Sequence, residues 1–281
     1  LNKLKASTSG YYDWKKRKPS RQAIYQARMK EQIIEIHEES YQIYGAPKIT
    51  KILLNSGHKI SQRTVSKYMK EEGIKAHYIK PYTITTRDSD FSSRLKNVLK
   101  RDFTPAKPDA AWCSDITYIW TQTGFVYLTS IMDLYSRKII AWELSETLSV
   151  EGILSCINKT KRTRNFSNPV IIHSDRGTQY VSNDYKSNLG YGFVLSYSNK
   201  GNPWDNACIE SFHALIKREW LSKYYFKNIN SVRRAVFEYI DVFYNRKRIH
   251  STLGYQTPIQ YEISYNLSSK SKTLSLNCPI S

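Results

Sequence analysis

Three acidic residues have the side-chain type and the spacing to hold metal ions: Asp115, Asp175 and Glu210. Asp175 follows the apolar run at 170–172, which predicts a short buried strand, and it stands in the polar loop where that strand ends. Asp115 lies in a stretch of aromatic and β-branched residues that predicts another strand. A carboxylate inside a central strand is costly unless it is paired or bound to metal. Carboxylate oxygens suit Mg²⁺ or Mn²⁺, and two such ions about 3.5–4 Å apart can promote phosphodiester chemistry.

Glu210 is expected on a helix that opens at Asn202 and Pro203. Asn202 can act as its N-cap and Pro203 suits the first helical position, so Glu210 would lie two turns into the helix. A strand, a strand end and a helix can bring three carboxylates to one site. Spacing alone is a weak signal, because a chain with 24 acidic residues offers many such triples.

Charge and composition narrow the class of protein. The 281 residues carry 43 Lys and Arg against 24 Asp and Glu, a formal net charge of +19. Such an excess predicts a polyanionic partner, most simply nucleic acid. No apolar run reaches membrane length, so no membrane partner is expected. The four cysteines have no metal-ligand spacing and indicate no disulfide framework, which favours a reduced, cytoplasmic chain.

The elements that must position the carboxylates begin near residue 111. Three predicted strands joined by short turns form an antiparallel meander, and strands then alternate with helices. This order predicts an α/β, ribonuclease-H-like fold with a mixed five-stranded sheet and flanking helices. The predicted strands are 112–120, 125–133, 139–144, 169–173 and 193–195; the predicted helices are 149–160, 183–189, the Glu210 helix and 231–244.

A small all-α domain is predicted ahead of this core. Helices at 21–41 and 47–54 precede a third helix capped by Ser61, and the last two flank a glycine-containing turn, which is the helix-turn-helix pattern. The third helix would enter the DNA major groove through Gln62, Arg63 and Lys67. An ordinary three-helix bundle is the alternative. The predicted divisions are a basic arm at 1–20, the helix-turn-helix domain at 21–80, a linker at 81–107, the catalytic core with its C-terminal helix and basic segment at 108–262, and a tail at 263–281.

Several motifs carry a family resemblance. They are WxxDITYI at 112–119, DLYSR at 133–137, HSDRGxQY at 173–180, GNxxDNAxxESF at 201–212 and YNxxRxHxxLGYxTP at 244–258. With YGxxxI at 44–49 and the helices that follow it, they span about residues 40–262. Together they resemble the OrfB transposases of the insertion sequence three family, whose catalytic domain is similar to retroviral integrase cores.

The resemblance implies that Asp115, Asp175 and Glu210 are both the catalytic residues and the ligands of two Mg²⁺ or Mn²⁺ ions. It also matches Lys217, which shares the helix face of Glu210 and would reach a DNA phosphate. There is one departure: 34 residues separate Asp175 from Glu210, one fewer than is usual in that family. The missing residue falls near 189–191, a turn that tolerates deletion.

The implied activity is that of a DNA transposase that cleaves element ends and joins the freed 3′-hydroxyl to new DNA. The implied partners are double-stranded DNA, both terminal inverted repeats and target, and further copies of the chain. The resemblance also implies a frameshift fusion with an upstream OrfA segment, which the Leu1 start fits, and a place in the bacterial cytoplasm at the nucleoid. Two alternatives stay open: a ribonuclease-H-like nuclease that cuts without joining, and an inactive DNA-binding regulator.

Further contacts with DNA are predicted around the site and in the basic segment. Asp133 and Asp205, the other acids near the motifs, are interpreted as structural rather than metal-binding. For the basic cluster at 246–250 a solvated turn is the alternative to phosphate contacts. The predicted DNA-contacting residues are Arg176, Gln179, Asn206, Arg246, Arg248 and His250.

Overall fold

Four helices form the N-terminal part of the computed structural model, which describes residues 7–76, 95–166 and 168–276. The described residues fall into two compact units, one within Leu1–His77 and one within Tyr78–Ser281. No helix in these described ranges is both long and apolar enough to cross a membrane. The helices of the first unit are α1 (Thr8–Lys16), α2 (Arg21–Glu39), α3 (Ala46–Asn55) and α4 (Gln62–Glu71).

The predicted helix-turn-helix arrangement is confirmed in α2 to α4. The Ser61 side chain accepts a hydrogen bond from the backbone N–H of Thr64 at 3.2 Å, so α4 begins where the capping pattern predicts. Gly57 has φ +85° in the turn between α3 and α4, a conformation that favours glycine. The three helices share one apolar core, made by Met29, Ile33, Ile49, Leu53 and Val65.

The predicted basic arm contains a helix that the apolar pattern did not indicate. Helix α1 begins after Ser7, whose side chain accepts from the backbone N–H of Gly10, and none of its residues is buried.

A mixed five-stranded sheet forms the second unit, as predicted. Its spatial order is β3-β2-β1-β4-β5, with β1 to β3 antiparallel and β4 and β5 parallel to β1. β4 pairs with β1 only over Ala111–Cys113, so the later part of β1, which carries Asp115, continues beyond the end of β4. The strands are β1 (Ala111–Thr121), β2 (Gly124–Asp133), β3 (Ile139–Ser145), β4 (Val170–Ser174) and β5 (Phe193–Tyr197).

Helices cover the sheet and complete the ribonuclease-H-like fold. Helix α5 packs on β2 and β3 through Ile153 and Ile157, which join a core with Trp112 and Ile131. The predicted helix at 231–244 is continuous but changes from α to a wider π-helical turn at Glu238–Tyr244. The helices are α5 (Val150–Thr163), α6 (Thr178–Val181), α7 (Asn183–Leu189), α8 (Ala207–Glu219), α9 (Ile229–Phe237) and α10 (Pro258–Leu276).

The start of the Glu210 helix differs from the prediction. A 3₁₀ turn, Pro203–Asn206, precedes α8, and the Asn202 side chain makes no capping hydrogen bond. Glu210 therefore lies in the first turn of α8, not two turns in. Asp205 organises the turn instead, because its carboxylate accepts from the backbone N–H of Asn199 at 2.8 Å and from Arg101 at 2.6 Å.

The predicted linker and the predicted tail both contact the second unit. In the linker, Leu99 is buried, and the backbone N–H groups of Val98 and Leu99 donate to the Ser196 hydroxyl at 3.0 and 2.9 Å. The tail is helical through Leu276, and its Tyr265 ring lies edge-on to Tyr135 with the ring centroids 5.2 Å apart. The structure does not describe residues 81–94 of the predicted linker or residues 277–281 of the tail.

Candidate active site

Asp115 is held in place by a histidine from α8. His213 Nδ1 lies 3.2 Å from Asp115 Oδ2, and His213 Nε2 lies 3.3 Å from the hydroxyl of Ser130, the residue paired with Asp115 across β2. With a proton on Nδ1, the buried imidazole donates to the carboxylate and accepts from Ser130. His213 therefore orients Asp115 and joins the Glu210 helix to the sheet.

Asp175 stands directly after β4, as predicted, and its loop is shaped around its carboxylate. The backbone N–H of Gly177 donates to Asp175 Oδ1 at 2.9 Å. A Cβ on Gly177 would approach that same oxygen to 3.0 Å, so a side chain there would push against the carboxylate. Burial, together with the negative charge of Asp115, raises the pKa of Asp175 to about 6.

Glu210 completes a set of three mutually repelling carboxylates. Partial burial of its carboxyl group, together with the charges of Asp115 and Asp175, raises the pKa of Glu210 to about 7. Among the described residues no group of three His, Cys, Asp or Glu side chains is arranged to hold a metal ion. An all-oxygen set with this much repulsion fits a divalent cation, since the cation would offset the repulsion.

Lys217 lies two turns beyond Glu210 on α8. Its ammonium group is 4.4 Å from the centroid of the Tyr118 ring. Burial lowers the pKa of Lys217, and the negative charge of Asp115 acts in the opposite direction. This places a cation at the edge of the carboxylate site, as its spacing from Glu210 predicts. Its contact with a DNA phosphate remains a prediction.

Of the other residues predicted to contact DNA near the site, two make hydrogen bonds within the protein and one does not. Arg176 Nε donates to the carbonyl of Ser198 at 2.7 Å, and the Gln179 amide donates to the carbonyl of Leu148 at 3.4 Å. Asn206 is buried, and neither polar atom of its side chain has a hydrogen-bond partner among the described residues. The Arg176 hydrogen bond joins the loop after β4 to the segment after β5. The Asn206 amide, in contrast, can still bond to a ligand or to water.

The structure contradicts the phosphate contact predicted for Arg248. Its guanidinium is buried and donates twice to the Glu219 carboxylate, at 2.8 and 2.6 Å. His250 is also buried, with its ring edge-on to Tyr244 at 4.9 Å. Of the three residues predicted in this cluster, Arg246 alone is exposed. Sequence cannot separate a buried arginine from an exposed one, since the acid that pairs with Arg248 is far away in the chain.

The remaining predicted residues lie on α4 and in the second unit. Gln62, Arg63 and Lys67 are exposed on α4, and their contact with DNA stays a prediction. Asp133 is buried and accepts from the backbone N–H groups of Asp109 and Ser136, which agrees with its structural interpretation. Asp205 is likewise buried and structural, through the contacts described above.

His213 is the functional residue that sequence reasoning missed. The available signal was its position three residues after Glu210, which puts the two side chains on neighbouring parts of one helix face. Hydrogen bonds that orient a ligating carboxylate commonly affect metal affinity.

His213→Ala is expected to weaken Mn²⁺ binding and DNA cleavage by about 10- to 100-fold, because Asp115 loses the donor that orients it. Metal titration by calorimetry or Mn²⁺ electron paramagnetic resonance would measure the effect. His213→Asn, whose amide can replace the Nδ1 donor, should recover part of the affinity. Unchanged metal affinity with lowered thermal stability would reduce His213 to a packing role.

Divalent-metal binding is expected to weaken as the pH falls through about 7 and 6, because these are the pKa values of Glu210 and Asp175 in the metal-free protein. Protons then compete with the cation for the same oxygens. A Mn²⁺ titration series between acidic and mildly alkaline pH would test this. Affinity that does not change with pH across this interval would place the metal elsewhere.

Known proteins match the chain along most of its length. The integrase core domain family matches residues 105–203, a second integrase core domain family matches 191–258, and an HTH-like domain family matches 25–82. The chain is 34% identical over 252 residues to the transposase for insertion sequence element IS904 of Lactococcus lactis, covering 89% of this chain and 99% of that protein. It is 33% identical over 266 residues to the transposase InsF for insertion sequence IS3A of Escherichia coli K12, covering 92% and 91%.

Solved structures show more distant similarity. A chain of the simian T-cell lymphotropic virus intasome, in complex with PP2A regulatory subunit B56 gamma, aligns with 82% of this chain and 74% of its own length. The identity is 14% and the TM-score is 0.47.

Proposed function

The chain belongs to the transposases of the IS3 family of insertion elements, and from this premise we propose the reaction that its site performs. The reaction is divalent-metal-dependent cleavage of DNA at the ends of the element, followed by transfer of the freed 3′-hydroxyl to a second DNA phosphate. The observation that carries the proposal is the set of three mutually repelling carboxylates contributed by β1, the end of β4 and the first turn of α8.

Each residue of the site has a distinct part in this reaction. Asp115, Asp175 and Glu210 would hold two Mg²⁺ or Mn²⁺ ions. When bound, the ions would supply positive charge to the attacking and leaving oxygens of an in-line displacement. His213 keeps Asp115 oriented, and Lys217 would bind a phosphate of the DNA end. Because water or the DNA hydroxyl is the nucleophile, the protein needs no covalent link to DNA.

DNA recognition is assigned to the first unit of the chain. The exposed residues at the start of α4, Gln62, Arg63 and Lys67, would read the terminal repeat in the major groove. The net charge of +19 adds attraction to DNA that does not depend on sequence. Joining two element ends requires at least two active sites, so we propose that the chain acts as a multimer, as the OrfB part of a fusion with an upstream OrfA segment, at the bacterial nucleoid.

The proposal is tested by incubating labelled element ends with Mg²⁺ and either this chain or its fusion to the upstream segment. Strand-transfer products on a denaturing gel support the transposase reaction. Cleavage without joined products, in both forms of the protein, would favour a nuclease. Binding without any metal-dependent cleavage in both forms would favour a regulator that has lost catalysis.

A further inference from the structure

An aromatic cavity of about 450 Å³ begins where the carboxylate site ends. One wall comes from the far end of β1 and the other from the segment that follows α8. A backbone hydrogen bond from Gln122 N–H to the Phe226 carbonyl, 3.0 Å long, ties the two walls together. The residues that matter to the argument are Tyr118, Trp120, Lys217, Tyr225 and Phe226.

Three of the aromatic side chains that line this cavity are exposed. Tyr225 is fully exposed, Trp120 is 65% exposed and Tyr118 is 48% exposed. Trp120 is nevertheless held in place, because Phe125 packs edge-on against it with the ring centroids 4.8 Å apart. Exposed aromatic side chains grouped around one cavity form a candidate binding surface, and a rigid ring offers a flat face to a flat ligand.

Lys217 belongs both to this cavity and to the edge of the carboxylate site. It lines the cavity with its ammonium group over Tyr118, and it follows Glu210 by seven residues on α8, a rise of about 10 Å. A ligand in the cavity would therefore have an apolar, planar part against the rings and a negative group beside Lys217. A nucleotide has both parts.

We propose that this cavity binds an unpaired nucleobase of the DNA end, next to the phosphate that Lys217 contacts. The inference rests on the proposed transposase function and goes beyond it. Bases inside a duplex present only their edges, because neighbouring bases cover their faces, so aromatic side chains stack most readily on a base that has left the helix. Stacking tolerates any base, which suits a position beside the cleaved bond, and the cavity volume lies within the range of small-molecule sites, about 300–1,000 Å³.

The test uses two DNA probes that differ in one feature. One is a blunt duplex carrying an element end, and the other is the same duplex with a short unpaired tail that contains 2-aminopurine. The Trp120→Ala/Tyr225→Ala double variant is expected to bind the tailed probe about tenfold more weakly, the scale of losing one stacked base, and to change blunt-duplex affinity far less. The quenching of 2-aminopurine seen with the unchanged protein should also disappear.

Two controls separate stacking from general damage. Tyr191→Ala removes another fully exposed tyrosine that does not line the cavity, and it should bind both probes as the unchanged protein does. Trp120→Phe keeps a ring at the same position and should restore most of the quenching. Both replaced cavity residues are exposed, so the double variant is expected to fold.

Other outcomes overturn the inference. Equal loss of affinity for both probes would make the cavity part of a general DNA surface. A change in sedimentation without any change in tailed-probe binding would make it a contact between protein copies. Either result leaves the proposed function standing as long as metal-dependent cleavage persists, whereas absence of cleavage both in the unchanged protein and in its fusion to the upstream segment would remove the proposed function itself.

Discussion

Glu210→Gln is expected to abolish metal-dependent DNA cleavage and, at the same time, to stabilise the metal-free protein. Glutamine keeps the shape of the side chain but removes the charge that a divalent cation requires. We expect a rate at least about 10³-fold lower, which corresponds to about 4 kcal/mol of lost transition-state stabilisation. DNA binding should be retained. Single-turnover cleavage of labelled ends and fluorescence anisotropy would measure the two effects separately.

The stabilising effect follows from the direction of the pKa shift. The pKa of Glu210 rises from 4.5 to about 7 in the folded protein, so between these values the unfolded chain has already released a proton that the folded chain still binds. Metal-free stability therefore falls as the pH rises through this interval, and the loss is complete above about pH 7. Glutamine does not titrate, so the Glu210→Gln variant does not lose this stability as the pH rises. The melting temperature of the variant should therefore exceed that of the unchanged protein at pH 8 and match it near pH 4.

Asp175→Asn should behave in the same way, since the pKa of Asp175 is also raised. Glu146→Gln removes an exposed carboxylate outside the site and should alter neither cleavage nor the pH profile of stability. Persistent cleavage in Glu210→Gln would sink the assignment of Glu210 as a ligand. A lower melting temperature at pH 8 would show instead that Glu210 has a stabilising partner in the folded chain.

Arg248→Ala is expected to destabilise the protein by about 3–5 kcal/mol, the usual result of removing one partner from a buried ion pair. Glu219 would keep the Tyr239 hydroxyl as a donor, at 2.7 Å, but its charge would stay buried without the guanidinium that pairs with it. Urea or guanidinium unfolding would give the difference in unfolding free energy. Glu219→Ala should have an effect of similar size, and the double variant Arg248→Met/Glu219→Leu should recover much of the stability because neither charge remains unpaired.

Arg246→Ala is the matched control for that experiment. Arg246 is exposed in the same basic segment, so its loss should leave unfolding free energy almost unchanged and weaken DNA binding, with a shallower dependence on salt. If Arg248→Ala instead folded with normal stability and bound DNA more weakly, the buried pair with Glu219 would not be the form present in solution.

Most of the secondary structure could be predicted because its causes are local. The apolar and aromatic run of β1 predicts a strand, and Ser61 predicts the start of α4 through a hydrogen bond made three residues away. The start of α8 could not be predicted in the same way. Asp205 organises that turn by binding Arg101, which is distant in sequence, and no local pattern shows that contact.

The sequence by itself determined the family and the order of most strands and helices, because motif spacing and local periodicity can be read without the fold, and it led to the proposal of the three carboxylates. Only the tertiary structure decided how those groups are supported and which charges are available. In the folded chain His213 contacts Asp115, although the two residues are 98 positions apart in sequence. Arg248 is buried against Glu219, whereas Arg246 is exposed. Burial and pairing between distant residues depend on how the chain packs. Two arginines of one segment can therefore have different roles, because one is buried beside a carboxylate and the other is exposed.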